Sequence, residues 1–334
     1  PCMLHRFPDG LAGPKVHQKR LPGGAPDWVQ TVELWFPRYG RTADELCVTE
    51  LAQVIWAVQM STVEFHPWNS RRAHVEQPDE WRIDLDPMPE ADFESVRRVA
   101  RVAHEVLTEL GITGYPKTSG GKGFHIYVRI TPDHGFPEVR RAALAFAREL
   151  ERRCPDATTV WWRKDRDPKK IFVDFNQNAK DRTVASAYSV RAVPDARVST
   201  PLFWDEVADC RPENFTVATV PHRLAQLGDP WEGMDDTAGG LDSLLELADR
   251  LGPAEKAPKG AHRSVDGRRE STMPLIEIAR TKTKDEAMAA LQQWREQYPE
   301  AAEKLEPADV LVDGMRGPSS IWYRIRINLQ HVAE

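Results

Sequence analysis

Three short stretches of the chain alternate apolar and polar positions at period two, the spacing of half-buried strands. In residues 81–86, Trp81, Ile83 and Leu85 take one face and Arg82, Asp84 and Asp86 the other, with Pro87 ending the ladder. In residues 124–130, Phe124, Ile126, Val128 and Ile130 oppose His125, Tyr127 and Arg129. In residues 171–175, Ile171, Val173 and Phe175 oppose Phe172 and Asp174. The three polar faces are expected to converge.

Between the first two stretches, Val96, Val99, Ala100, Ala103, Leu107 and Leu110 recur at helical spacing, with Asp92 placed to cap the start and Gly111 the end. A strand, a helix and a strand in succession is the βαβ pattern. Residues 138–153 predict a second amphipathic helix and residues 44–60 a third. The whole reads as α+β, a mixed α/β chain with central sheets flanked by helices. Three parts are expected: a main domain over residues 1–250, a basic Gly- and Pro-containing linker over 251–274, and a C-terminal extension over 275–334 with one helix, around 285–298, and one strand, 321–329.

Composition narrows the classes. The 334 residues, 41% hydrophobic, suffice for a sizeable core. No apolar run approaches the ~20 residues of a membrane span, so no membrane partner and a cytoplasmic address are expected. Cys2, Cys47, Cys154 and Cys210 lack a C-x-x-C pair, which argues for reduced, buried thiols over zinc or disulfides. A net charge of −6 argues against a coat of positive charge for sequence-blind nucleic-acid binding, though not against a local basic groove.

The candidate chemistry begins with Asp84 and Asp86. Two apart on a strand, their carboxylates leave the same side about 6–7 Å apart at the backbone. Alone, an Asp-x-Asp in an acidic chain is more often a strand end or turn than a site. With Asp174 on a neighbouring strand, the set suits two divalent cations, Mg²⁺ or Mn²⁺, which take hard oxygen ligands. Residues 117–125 add Ser119, Gly120, Gly121, Lys122 and His125, whose glycines let backbone N–H groups approach phosphate oxygens. It is not a Walker A loop, because Gly123 follows Lys122 and the loop is expected between a helix and a strand. An ordinary glycine turn is the competing reading of that segment by itself. Arg191 ends an alternating stretch, 184–190, that can return its guanidinium to a triphosphate.

Taken together and in order, Asp84-Leu85-Asp86-Pro87, Thr118-Ser119-Gly120-Gly121-Lys122-Gly123-Phe124-His125, Val173-Asp174-Phe175-Asn176-Gln177-Asn178 and Tyr188-Ser189-Val190-Arg191 resemble the polymerase domain of bacterial ligase D, of the archaeo-eukaryotic primase superfamily, and in particular its stand-alone actinobacterial versions. The resemblance covers roughly residues 1–250. It implies a primase-polymerase core in which Asp84, Asp86 and Asp174 hold the metals and Ser119, Lys122, His125, Gln177 and Arg191 lie near the incoming nucleotide. His66, in Glu64-Phe65-His66-Pro67, matches a histidine near the nucleotide sugar. Such enzymes add NTPs or dNTPs to a primer 3′-hydroxyl on gapped or broken DNA, often with ribonucleotides and Mn²⁺, and recognise a 5′-phosphate across the gap. Lys19 and Arg20 fall in a basic stretch placed near template and phosphate, where this chain offers Val16 and His17 in place of the family's stacking aromatic. Relatives begin some tens of residues earlier, with a lysine for that phosphate, and residues 275–334 lie outside the pattern.

Residues 161–170 carry Arg163, Lys164 and Arg166 beside the strand of Asp174, with Trp161 and Trp162 at the head, and read either as a loop over DNA or as a solvated hairpin tip. The expected partners are DNA with a gap, break or primer-template junction, a nucleoside triphosphate, and separate ligase and end-binding repair proteins on a bacterial nucleoid. A non-catalytic module that aligns DNA ends and a dedicated primase are the competing classes, with a metal-dependent nuclease more remote.

Overall fold

A computed structural model of the protein describes residues 1–36, 40–160, 165–253, 275–305, 310–316 and 321–328. The chain divides into two compact units, Pro1–Glu255 and Lys256–Glu334. In the first, strands β1 (Cys2–Arg6), β2 (Val16–Gln18), β3 (Thr31–Phe36) and β4 (Arg41–Leu46) precede helix α1 (Leu51–Gln59) and strand β5 (Thr62–Pro67). Strand β6 (Glu80–Pro87), helix α2 (Phe93–Glu109), strands β7 (Tyr115–Thr118) and β8 (Phe124–Arg129) and helix α3 (Phe136–Arg153) follow. Strands β9 (Ala157–Thr158) and β10 (Ile171–Val173) and helices α4 (Val220–Leu227) and α5 (Asp242–Leu251) complete it.

The central sheet has order β7-β8-β6-β10-β9, antiparallel except for the β9–β10 pair. Its apolar face carries Trp81, Ile83, Leu85, Phe124, Ile126 and Val128, packed in one core with Val96, Val99, Ala103 and Leu107 of α2 and Val139, Phe146 and Leu150 of α3. Burying each large side chain of this set contributes about 1.5–3 kcal/mol. Asp92 caps α2 by accepting Ser95 N–H at 2.7 Å, and Gly111 takes the left-handed φ of +69° beyond its end. A second sheet, β2-β1-β5, is antiparallel, and β3 and β4 form a separate hairpin.

The mixed α/β expectation holds, with local differences. Residues 44–60 are not one helix: Asp44–Leu46 finish β4, where Asp44 pairs with Glu33 and Leu46 with Thr31, and α1 starts only at Leu51. Cross-strand pairing outweighs helical spacing there. Strand β6 and strand β8 are antiparallel neighbours, because the unforeseen β7 reverses the chain after α2. Pro116 and the brevity of β7 hid it from the pattern. The glycine segment is therefore a hairpin turn between two strands, and not a link from helix to strand. Strand β10 stops at Val173, since Asp174 turns the chain into a 3₁₀ turn, Phe175–Asn178, accepting Asn176 N–H at 3.0 Å. Residues 184–190 form no regular strand, only a bridge from Val190 to Val198.

In the second unit, strand β11 (Leu275–Thr281), helices α6 (Lys284–Gln297) and α7 (Pro299–Glu303), and strands β12 (Val310–Arg316) and β13 (Ile321–Asn328) build an antiparallel sheet of order β11-β13-β12. Ala287 and Leu291 of α6 pack on Ile325 and Ile327. The sequence pattern had yielded only α6 and β13.

Candidate active site

The face of the central sheet turned away from α2 and α3 is polar, and one cross-strand row crosses four chain segments. Lys117 on β7 stands opposite His125 on β8, and His125 opposite Asp84 on β6. Asp174, just past β10, donates its backbone N–H to the Asp84 carbonyl at 2.8 Å. The side chains interact along the row. Lys117 Nζ meets His125 Nδ1 at 2.9 Å, and His125 Nε2 lies 3.4 Å from Asp84 Oδ1. Lys117 also donates to the Ala185 carbonyl at 2.9 Å and to Ser199 Oγ.

Asp86 leaves the same face of β6 two residues on, opposite Phe172. The three acids expected to form a site thus stand on one face of neighbouring segments, with Asp86 at the exposed rim, although their carboxylate oxygens do not all come within 4.8 Å of one another. Burial, then the charges of Asp174 and Asp86, push the Asp84 carboxyl well above the usual carboxylate range. A carboxylate set held against its own repulsion, with oxygen donors only, suits divalent cations such as Mg²⁺ or Mn²⁺. Burial first, then the charges of Lys117 and Arg191, push His125 well below the usual imidazole range, so it is neutral.

Asp174 is held firmly. Its Oδ1 accepts Asn176 N–H and its Oδ2 accepts Gln177 Nε2 at 3.0 Å. The Asn178 carboxamide accepts Arg82 N–H at 2.9 Å and donates to the Arg82 carbonyl at 2.7 Å, pairing with β6 as a further strand would. Arg82 itself, fully buried, donates to the Pro67 and Trp68 carbonyls and to Glu80, which ties β6 to the end of β5.

The glycine turn folds around Ser119, whose Oγ accepts the N–H groups of Gly121 at 3.0 Å and Gly123 at 3.1 Å. Two glycine amides are therefore engaged within the turn, and among the described residues no acceptor meets those of Gly120 and Lys122. Gly123 is required: a Cβ there would sit 2.0 Å from the Leu85 carbonyl oxygen. Gly120, at φ +67°, would meet Arg191 Cγ at 2.4 Å. Arg191 lies across the turn, donating Nη1 to the Ser119 carbonyl at 2.6 Å and Nε to Glu64 Oε1 at 3.2 Å. Lys122 is exposed and lines, with Asp86, Arg97, Arg197 and Arg211, a cavity of about 760 Å³. A larger cavity, about 1050 Å³, contains none of the three acids.

His66 is buried on β5 and bonds through Nε2 to Glu64 Oε2 at 3.0 Å, which also meets His5 Nδ1 at 2.5 Å. Donor atoms of His5, Glu64 and His66 lie within 4.8 Å of one another, close enough for a metal, but both ring nitrogens already bond to one carboxylate oxygen. Of the residues assigned to DNA, Lys19 pairs with Asp181, and Arg20 forms a backbone bridge with Glu45; no contact of either with the three acids is seen among the described residues. Arg166 donates to the Val160 carbonyl at 2.8 Å and stacks 3.1 Å over the Phe172 ring, beside Asp86. Arg163 and Lys164 lie outside the described residues, as does most of the 251–274 linker. Glu64, Lys117 and Asn178 were missed as site residues; Glu64 was detectable two positions before His66 on one strand face.

A mixed sheet bearing gathered carboxylates beside a glycine turn and an arginine is the arrangement of a nucleotidyltransferase. The chain belongs to the LigD primase-polymerase domain family, whose family model matches residues 1–231. It is 34% identical over 239 residues to the multifunctional non-homologous end joining protein LigD of Pseudomonas aeruginosa, covering 69% of this chain and 28% of that protein. Identity to the bifunctional LigD of Bacillus subtilis is 29% over 229 residues, covering 68% of this chain and 36% of that protein. The chain spans about a third of the length of these relatives. Among solved structures, the polymerase domain of Mycobacterium tuberculosis ligase D in complex with DNA aligns with a TM-score of 0.64 and 26% identity, over 71% of this chain and 85% of that one. The family is one of DNA-directed nucleotidyltransferases. Among the described residues no helix is long and apolar enough to cross a membrane.

Proposed function

We propose that this chain extends primer 3′ ends, under template direction, on gapped or broken DNA in end-joining repair, with NTPs or dNTPs as substrates. The observation that carries the reading is the backbone bond joining Asp174 to Asp84, which sets the third acid beside the Asp84–Asp86 pair. Asp84, Asp86 and Asp174 would hold two divalent cations, which supply charge to activate the primer hydroxyl and stabilise the departing pyrophosphate.

The chain's own groups do the rest. Arg191, Lys122 and the amides of Gly120 and Lys122 hold the triphosphate, while Ser119 keeps the turn in shape. Gln177 fixes the Asp174 carboxylate, and neutral His125 donates toward Asp84 from Nε2. His66 faces the nucleotide sugar. Lys19, Arg20, Arg163, Lys164 and Arg166 follow the DNA backbone. The attack is in line at the α-phosphorus, with no covalent enzyme intermediate. The matched region is about a third of these LigD relatives, and ligase and end-binding repair proteins would complete repair, in the cytoplasm at the nucleoid.

Primer extension on a gapped duplex with NTPs and Mn²⁺ tests this. Wild type should lengthen the primer and the double variant Asp84→Ala, Asp86→Ala should not; equal extension by the variant would falsify the assignment. A non-catalytic end-aligning module would bind the duplex and extend nothing.

A further inference from the structure

Glu64 belongs to none of the roles above, yet it is 4% exposed and every acceptor direction it has is used. It precedes His66 by two on β5, so both side chains leave one face. Its Oε2 accepts from His66 Nε2 at 3.0 Å and from His5 Nδ1 at 2.5 Å. Its Oε1 accepts the Ala192 N–H at 2.9 Å and Arg191 Nε at 3.2 Å. Arg191 in turn reaches the Ser119 carbonyl. One buried carboxylate therefore joins the β5 histidine to the arginine lying over the glycine turn.

The chemistry of that carboxylate fixes the chemistry of the imidazole. Burial alone would raise the Glu64 carboxyl, but the hydrogen bonds from His5, His66 and Ala192 and the Arg191 charge outweigh it and hold the group far below the usual carboxylate range. An ionised carboxylate only accepts, so the His66 nitrogen facing it must carry the hydrogen. Burial first, outweighing the Glu64 bond, takes His66 down to about 4, which leaves the ring neutral near pH 7. A neutral ring with hydrogen on Nε2 has a bare lone pair on Nδ1. That atom has no hydrogen-bond partner among the described residues and is not among the sealed, unpartnered polar atoms. A bare acceptor selects a donor. A ribose hydroxyl is one, and the 2′ carbon of a deoxyribose is not.

We infer that Glu64 is the positioning residue for sugar selection: it holds His66 in the Nε2–H form, so that Nδ1 accepts a hydrogen bond from a ribose hydroxyl, and through Arg191 it keeps the triphosphate anchor in register with that sugar. The inference rests on the placement of His66 at the sugar and Arg191 at the triphosphate proposed above. Glu64 itself touches no substrate. Replacing it with glutamine breaks the arrangement whichever way the amide turns. With its NH₂ toward the imidazoles, His66 must accept and shift its hydrogen to Nδ1. With its NH₂ toward Ala192 and Arg191, donor faces donor and the arginine is released.

The test has two readouts on the full chain. Nitrogen-15 correlation spectra of histidine-labelled wild type at pH 7 should show His66 as the neutral Nε2–H tautomer; an Nδ1–H or doubly protonated ring overturns the inference without any variant. Binding of ATP and dATP is measured alongside, together with kcat/KM for each on a gapped duplex. Glu64→Gln and His66→Ala should each lower the ATP-over-dATP preference by about tenfold, and Glu64→Gln should raise KM for both nucleotides. Glu64→Asp, which keeps the charge, should recover part of the preference. A folded Glu64→Gln protein that prefers ATP as strongly as wild type overturns the inference and leaves the polymerase reading intact. A wild type that discriminates ATP from dATP in binding, and loses this in Glu64→Gln, yet extends nothing, supports the inference while the polymerase reading fails.

Discussion

The side-chain amide of Asn178 pairs with both backbone groups of Arg82, accepting at 2.9 Å and donating at 2.7 Å, and so clamps the turn that begins at Asp174 onto the strand that bears Asp84. Both residues are buried, so neither bond is replaced by water when lost. Asn178→Ala is expected to cost about 1–3 kcal/mol in denaturant unfolding and to reduce primer extension further than that loss of folded protein explains. Asn178→Asp, which accepts but cannot donate, should behave almost as badly.

Gly123 carries a second expectation. A methyl group there would meet the Leu85 carbonyl oxygen at 2.0 Å; Gly123 directly precedes β8, whose pairing with β6 places Leu85 opposite Phe124 and Asp84 opposite His125. Gly123→Ala should therefore destabilise by about 3 kcal/mol and depress extension, whereas Gly121→Ala, whose added Cβ comes no nearer than 3.3 Å to Ser119 Oγ, should be milder on both counts. Thermal melts and extension rates of the two variants side by side decide it.

How much of this was legible beforehand follows from how each residue acts. Asp84 and Asp86 were readable because strand alternation alone puts them on one side, and the glycine turn because its composition is rare. The pairing of Asp174 with Asp84 is a long-range register, and nothing in residues 171–175 states which strand β10 will join. Lys117 and Asn178 were passed over because their work is done by burial: a lysine with no exposure and an asparagine mimicking a strand edge look ordinary in a sequence. The strand end at Asp44–Leu46 was misassigned to a helix for the same reason, since its partner is the distant Thr31–Glu33 stretch.

Lys117 gives a third prediction. Its amino group is fully buried among His125 Nδ1, the Ala185 carbonyl and Ser199 Oγ. Lys117→Met removes the donor and strands several acceptors, at roughly 1–3 kcal/mol for each left unsatisfied. Extension should fall sharply, because the His125 ring then loses the contact that fixes its tautomer toward Asp84.

Stability should also depend on pH through His66. Its folded value, about 4, lies below the ordinary 6.5, so the neutral ring is favoured by folding. Protonation therefore favours the unfolded chain. The contribution is fully present above pH 6.5 and is lost as pH falls from there toward 4. His66→Asn should flatten the stability curve across that window, measured as denaturant midpoint against pH; an unchanged slope would show that His66 does not carry it.

The central claim is that Asp84, Asp86 and Asp174 share divalent cations next to the glycine turn. Anomalous diffraction from crystals soaked with Mn²⁺ and a non-hydrolysable nucleoside triphosphate tests it most directly. Manganese peaks between the three carboxylates, with triphosphate density reaching Lys122 and Arg191, are the expected result. Manganese bound elsewhere, at His5, Glu64 and His66 for instance, with the three acids bare, would contradict it.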